Sequence, residues 1–326
     1  MFFRLVVAAL LSTAISPAVQ TQSGEVSPRV ADAMPDDSSK LFVRFARREA
    51  FAAVPVEFVK GLILFQARIN GKQVTVLLDN GTQRTVIDTA FAQGAGIELG
   101  RKAGDAFTGV SRISTRLAGP VTFEVPGALT IDGEVLAFDL GPISKAVGRP
   151  VHAVLGGDAL HRMAFVVQPE KRELSIVPSG SIRLEGPDVV RIPIGADAHV
   201  EALINGKPVR MAIDFGHTGV AAVTDEAWGR VFGPNVVEIG RTTYTLADGE
   251  VRASRIARAD LKLGALTAQN VRILSGFIST KPRDGILGTD LFLHGTAVMD
   301  VPRGEMILLV PRQQAGAKAP TPVQAR

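Results

Sequence analysis

The sequence predicts an all-β chain of two lobes, each built on the same unit, with few short helices. Three observations carry this. The phrase Ile-Asn-Gly-Lys, followed by an apolar run and then Asp-x-Gly, occurs twice: Asn70-Gly71-Lys72 leads to Asp79-Asn80-Gly81, and Asn205-Gly206-Lys207 leads to Asp214-Phe215-Gly216, 135 residues later. A second pair, Val154-Leu155-Gly156-Gly157-Asp158 and Ile286-Leu287-Gly288-Thr289-Asp290, follows at an offset of 132. Two motif pairs in one order and near one spacing point to duplication and fusion of a β-rich unit. Between them the hydrophobic period is mostly two, broken by turn dipeptides, as strands require.

Along the chain, residues 1–18 read Met-Phe-Phe-Arg, an apolar stretch from Leu5 to Ile15, then Ser16-Pro17-Ala18. That is the pattern of a secretory signal rather than a membrane-spanning helix. Residues 19–50 form a polar leader rich in Pro, Ser, Gln and Asp, expected to be mobile. The first lobe is expected over 51–178. It starts with Leu62-Ile63-Leu64-Phe65-Gln66-Ala67-Arg68-Ile69, turns at Asn70-Gly71 and returns through Val74-Thr75-Val76-Leu77-Leu78, a hairpin signal. A short helix capped by Thr89 follows, and a further turn is expected at Asp132-Gly133. Ser179 to Asp188, with Gly180, Gly186 and Pro187, is the expected linker. The second lobe, 189–312, repeats the hairpin around Asn205-Gly206, the Thr-capped helix at Thr224, and turns at Asp248-Gly249 and Arg303-Gly304. Residues 313–326, rich in Ala, Pro and Gln, are expected to be disordered.

Composition narrows the chemistry. The 326 residues are 46% hydrophobic and 21% charged, enough for two sizeable cores. Losing Arg4 with the signal leaves 35 basic side chains (36 less one) against 32 acidic ones, a balance that calls for no nucleic-acid partner, and no membrane partner is expected once the signal is gone. There are no cysteines, which excludes disulfides, thiol nucleophiles and cysteine-held metals. His152, His161, His199 and His294 lack ligand spacing, and no His-Glu-x-x-His helix is present, so no metal site is expected. An exported chain without disulfides fits a bacterial periplasm or secretion.

The chemistry centres on the two Asp-x-Gly triplets. A Gly two residues after an Asp lets the chain turn tightly with its amides facing inward, presenting a carboxylate at the end of a buried strand. Two such loops meeting across a pseudo-twofold axis bring together carboxylates that cannot both ionise, so the pair shares a proton. A water held between them has a base on one side and an acid on the other. The ionised member draws a proton from the water as it attacks a carbonyl; the protonated member supports the oxyanion and later protonates the leaving amine. Taken singly, Asp-Asn-Gly between β-rich runs is an ordinary hairpin turn, and only the duplication lifts it above that. Asp158 and Asp290 each open a short apolar segment and are expected to cap helices.

These residues resemble the aspartic proteases of the pepsin and retropepsin type, particularly bacterial exported ones with two retropepsin-like units in one chain. The resemblance rests on Val76-Leu77-Leu78-Asp79-Asn80-Gly81-Thr82 with Val154-Leu155-Gly156, and on Met211-Ala212-Ile213-Asp214-Phe215-Gly216-His217 with Ile286-Leu287-Gly288. It implies a bilobal acid-protease fold over about residues 52–312, a catalytic pair Asp79 and Asp214, a peptide or protein substrate, and no cofactor. It also implies that a single chain with internal pseudo-symmetry suffices, as a monomer. The loop-support positions are Asn80, Gly81 and Thr82 in one half and Phe215, Gly216 and His217 in the other. The family has Thr or Ser where Asn80 and Phe215 stand, and those hydroxyls grip across the interface. Asn80 can donate and accept, Phe215 can do neither, and the reciprocal grip cannot form in its usual way. His217 replaces a small residue that Thr82 preserves in the first half. Flap hairpins over the cleft are expected at Phe107–Ser111 and Thr243–Gly249, with Phe107 and Tyr244 as candidate substrate contacts. Two functions follow: an exported aspartic endopeptidase, or a catalytically silent relative whose interlobe groove binds a peptide or protein partner.

Overall fold

The computed structural model describes residues 25–26, 41–46, 53–107, 112–246, 248–279 and 282–310. They form a mostly β chain of two lobes with five short α-helices: α1 (Thr89–Gly94), α2 (Gly141–Val147), α3 (Gly157–Leu160), α4 (Asp225–Phe232) and α5 (Thr289–Phe292).

Each lobe begins with the predicted hairpin. Leu62–Ile69 pairs antiparallel with Lys72–Leu78, and His199–Ile204 with Lys207–Ile213. The turns between them place Asn70 at φ 49° and Gly71 at 78°, Asn205 at 50° and Gly206 at 77°. Two successive positive φ values suit a two-residue turn matched to strand twist, and Asn-Gly is the dipeptide that tolerates it best. Leu62–Phe65 is buried on both faces. Leu62 and Leu64 pack with Leu77 and Leu136, while Ile63 and Phe65 join the larger core with Val76 and Leu78. From Gln66 onward exposed and buried residues alternate, with Ala67 and Ile69 inward.

A strand late in each lobe inserts beside the hairpin and completes the same motif twice. Ala153–Leu155 lies parallel to Lys72–Leu78 and antiparallel to Val86–Asp88; Gly285–Leu287 lies parallel to Lys207–Ile213 and antiparallel to Ala221–Val223. Each inserted strand is wholly buried, which explains its continuous apolar reading.

A shared sheet joins the lobes. Its order is Val189–Pro193, Glu305–Leu309, Thr296–Asp300, Met163–Gln168, Glu173–Pro178, Ala53–Val59. The junction is the antiparallel pair Met163–Gln168 with Thr296–Asp300, in register Phe165↔Met299 and Val166↔Val298.

Several expectations need correction. Asp132-Gly133 is not a turn: the strand Leu129–Phe138 runs through it, and the chain reverses at Pro126-Gly127, where Gly127 has φ 74°. Asp88, not Thr89, caps α1, its Oδ2 accepting from the Phe91 amide at 2.9 Å. Thr224 does cap α4, accepting from Ala227 N at 3.1 Å. Asp158 and Asp290 cap nothing; the N-caps of α3 and α5 are Gly156 and Gly288, without a side-chain bond. The leader expected to be mobile over 19–50 includes a strand, Phe42–Phe45, on the edge of Leu129–Phe138, because Leu41 is buried and Val43 and Phe45 pack against the core. Glu25–Val26 also pairs, in parallel, with Tyr244–Thr245. The linker is pinned: Ser179 Oγ and the Gly180 amide donate to the two carboxylate oxygens of Asp300 at 2.6 and 2.7 Å. The expected tail, 313–326, lies outside the described residues.

Candidate active site

Both Asp-x-Gly loops leave the end of a buried strand and are held there by the strand inserted beside it. Asp79 N donates to Leu155 O at 3.2 Å, and Asp214 N to Leu287 O at 2.9 Å. Gly156 and Gly288 pass beneath the loops with no room for a side chain. A Cβ on Gly156 would lie 2.5 Å from the Arg84 carbonyl carbon, and one on Gly288 2.3 Å from Gly219 O and 2.4 Å from His217 O. Glycine at these two positions is thus required by the close approach of neighbouring backbone.

The loops meet. A Cβ on Gly81 would sit 2.5–2.6 Å from the carboxylate atoms of Asp214, and one on Gly216 would sit 2.4–2.6 Å from those of Asp79. Each carboxylate therefore rests against the glycine of the opposite loop, and both Asp side chains are buried, at 0% and 1% exposure. Only glycine fits at either place.

Asp79 is held by three donors. Its Oδ1 accepts from the amides of Gly81 at 2.9 Å and Thr82 at 3.0 Å, and its Oδ2 accepts from Thr82 Oγ1 at 2.6 Å. Thr82 thus binds the carboxylate as its place in the motif implies. Asp214 Oδ1 accepts from the Gly216 amide at 2.8 Å. His217 is buried, with its ring against Gly288, and its carbonyl accepts from the Thr289 amide at 2.8 Å and from Thr289 Oγ1 at 3.2 Å.

A grip across the loops does form, in a one-sided way. Asn80 Nδ2 donates to Ile213 O at 2.8 Å, and Asn80 Oδ1 accepts from the Phe215 amide at 2.8 Å. One carboxamide supplies the donor and the acceptor that two hydroxyls supply elsewhere. Phe215 turns its ring away into the core, fully buried, edge-on to Phe165 at 5.1 Å and stacked on Phe292 at 6.1 Å. The second loop is therefore anchored on the sheet that joins the lobes.

The model of the aspartyl protease family matches the chain in two stretches, residues 65–159 and 200–291, which include both loops and both inserted strands. The chain belongs to the aspartyl protease family. No curated protein matches it.

In this member of the aspartyl protease family, the hairpins expected as flaps are present as Leu99–Phe107 with Arg112–Val125 and Gly240–Thr245 with Val251–Leu263. The tip of the first, 108–111, and the side chain of Phe107 lie outside the described residues. Tyr244 is half-buried, and its hydroxyl donates to Gly276 O at 2.8 Å, tying its hairpin to the loop that precedes Gly285–Leu287. It is not among the residues lining the recess described next.

A recess of about 230 Å³ opens beside the loops, with Asn80, Gly81 and Asp214 on one wall and Gln83, Asp158, His161, Asp197 and Arg283 among the rest. Sequence reading singled out Asp158 as a helix cap and His161 as a residue without ligand spacing, and missed Gln83, Asp197 and Arg283, which carry no motif. Asp158 holds α3 to the first loop instead of capping it. Its Oδ1 accepts from Thr85 N at 2.8 Å and Thr85 Oγ1 at 2.7 Å. Burial raises its pKa above the ordinary carboxylate value, against the lowering effect of those bonds and of Arg84. Burial also raises that of Asp290, against His294 and Arg272.

Proposed function

We propose that the chain is an exported endopeptidase that hydrolyses peptide bonds with a water held between Asp79 and Asp214. The observation that carries this reading is the reciprocal seating of each carboxylate against the opposite glycine, which brings two buried acids to one interface. Like charges at such range share a proton. The ionised member of the pair removes a proton from the water as the water oxygen adds to the carbonyl carbon, while the proton on the other member hydrogen-bonds the oxyanion. That second proton then passes to the leaving nitrogen as the C–N bond breaks, and transfer of the proton taken from water to the newly ionised carboxylate resets the pair. The apolar segment at residues 5–15 supports export to the periplasm or beyond. Both loops lie in one chain, so a monomer suffices.

The test is hydrolysis of an unfolded protein by the chain purified without residues 1–18. We expect a bell-shaped pH dependence whose limbs belong to the pair, insensitivity to chelators, and a loss of about 10²–10⁴-fold in Asp79→Asn or Asp214→Asn with the fold retained. Hydrolysis that survives both substitutions would assign the chemistry elsewhere. A second reading, a groove that binds peptides without cutting them, draws on Phe215 and His217 standing where hydroxyl-bearing or small residues are usual. Saturable peptide binding with no cleavage at any pH would favour it.

A further inference from the structure

The two halves of the cleft are built by one duplicated unit, yet they differ in chemistry. On the side of the recess stand Asp197, His161 and Arg283. The positions related to them by the duplication, at offsets of 135 for Asp197 and 132 for the other two, are Leu62, Leu293 and Val151. Leu62 and Val151 are buried at 0% and 2% exposure, and Leu293 packs against the core. The equivalent space is also closed by contact: Thr289 Oγ1 donates to Gly61 O at 3.0 Å, and Thr218 Cβ comes within 3.1 Å of where a Gly61 side chain would start. Gly157 and Ala196, the counterparts of Thr289 and Gly61, line the open recess. Gly157 leaves open the space that the Thr289 side chain fills on the other side.

The charges around the recess are unequally matched. Asp197 is paired with His199. Asp158 takes two hydrogen bonds from Thr85, and its burial favours the neutral form. Asp214 faces the loop of Asp79. Arg283, half-exposed on the rim, donates Nε to Ser279 Oγ at 3.0 Å and has no ion pair among the described residues. A guanidinium so placed keeps its terminal amino groups for a planar acceptor, and a carboxylate fits them best.

We infer that the recess is a specificity pocket read by Arg283, which selects an acidic side chain on one side of the bond to be cut. The inference rests on the hydrolytic reading above for its connection to cleavage, and on the recess alone for binding. Substrate selection is then one-sided: an acidic residue is read at the recess, and the closed, apolar half reads no charge.

The experiment uses peptides that differ only in carrying Glu, Gln or Lys at each position within three residues of the cleaved bond. For the native chain, kcat/KM is expected to favour Glu over Lys at one position. The ratio should fall roughly tenfold or more in Arg283→Ala, the scale of a charge-assisted pair, and invert toward Lys in Arg283→Glu. Inversion is the decisive readout, since a merely structural role for Arg283 would lower all peptides together. Preference for Lys or for an aliphatic residue at every position, or a profile unmoved by both variants, would overturn the pocket. If the native chain cuts no peptide, the hydrolytic reading fails by itself, and binding of the same peptides by fluorescence anisotropy still decides the recess. Tighter binding of Glu peptides that Arg283→Glu reverses supports it, and equal binding of Glu and Lys peptides refutes it.

Discussion

Asn80 bridges Ile213 O and Phe215 N, two backbone groups of the opposite loop that water does not reach. Asn80→Ala is expected to leave both without partners, at about 1–3 kcal/mol each, and to loosen the pair before it unfolds the chain. Urea unfolding alongside single-turnover cleavage would show activity falling more steeply than stability. Replacing Asn80 and Phe215 together by Thr, to install the usual hydroxyls, is expected to fail. The Phe215 ring is wedged between Phe165 and Phe292, and its loss opens a cavity costing about 3–5 kcal/mol by the precedent of Phe truncation. A double variant that melts no lower than the native chain would refute this account of Phe215. The glycines admit no such compromise: Gly81→Ala and Gly216→Ala each drive a methyl group into the opposite carboxylate and should abolish activity.

At the scale of elements, the inserted strands and the helices after them set the loops. Asp158 ties α3 to Thr85, whose Oγ1 also accepts from the Gly156 amide at 3.2 Å, so one threonine links loop, strand and helix. The raised pKa of Asp158 has a defined consequence for stability. Below the ordinary value of 3.8 the carboxyl is neutral in both folded and unfolded chains, and its contribution is fully present. As pH climbs through the raised folded value, the buried charge must form and that contribution is lost. Asp290 acts in the same direction. Asp158→Asn keeps an oxygen for Thr85 and removes the ionisation, so urea midpoints between pH 4 and neutrality should fall less steeply than in the native chain. An unchanged slope would show that Asp158 titrates alike folded and unfolded.

Across the whole molecule, the shared sheet makes the two lobes one structure. Met163–Gln168 would expose a bare apolar edge without Thr296–Asp300, and Phe215 would lose Phe165. Unfolding should therefore be cooperative across the lobes. Trp228, the single tryptophan, is buried in α4 of the second lobe beside Phe232, so its fluorescence follows that lobe, while far-ultraviolet circular dichroism follows both. Coincident denaturation curves are expected; separated midpoints would show that the junction is weak.

Sequence alone determined the duplication, the Asn-Gly hairpins, the Asp loops and the glycines beneath them. Each is a local demand: a positive φ, a buried apolar strand end, or a place with no room for a Cβ, and each leaves its mark within a few residues. Asp132-Gly133 misled for the same reason, since the dipeptide that signals a turn also sits within a long strand, and pairing with Val121 and Thr122 overrides the local preference. Tertiary structure alone decided that Asn80 holds the opposite loop by itself, that Phe215 faces the core, that Asp158 clamps Thr85, and that Asp197, His161 and Arg283 share one recess. These depend on residues as much as 135 positions apart meeting at an interface, and the contacts made there are set by packing between lobes, for which neighbouring residues carry no code.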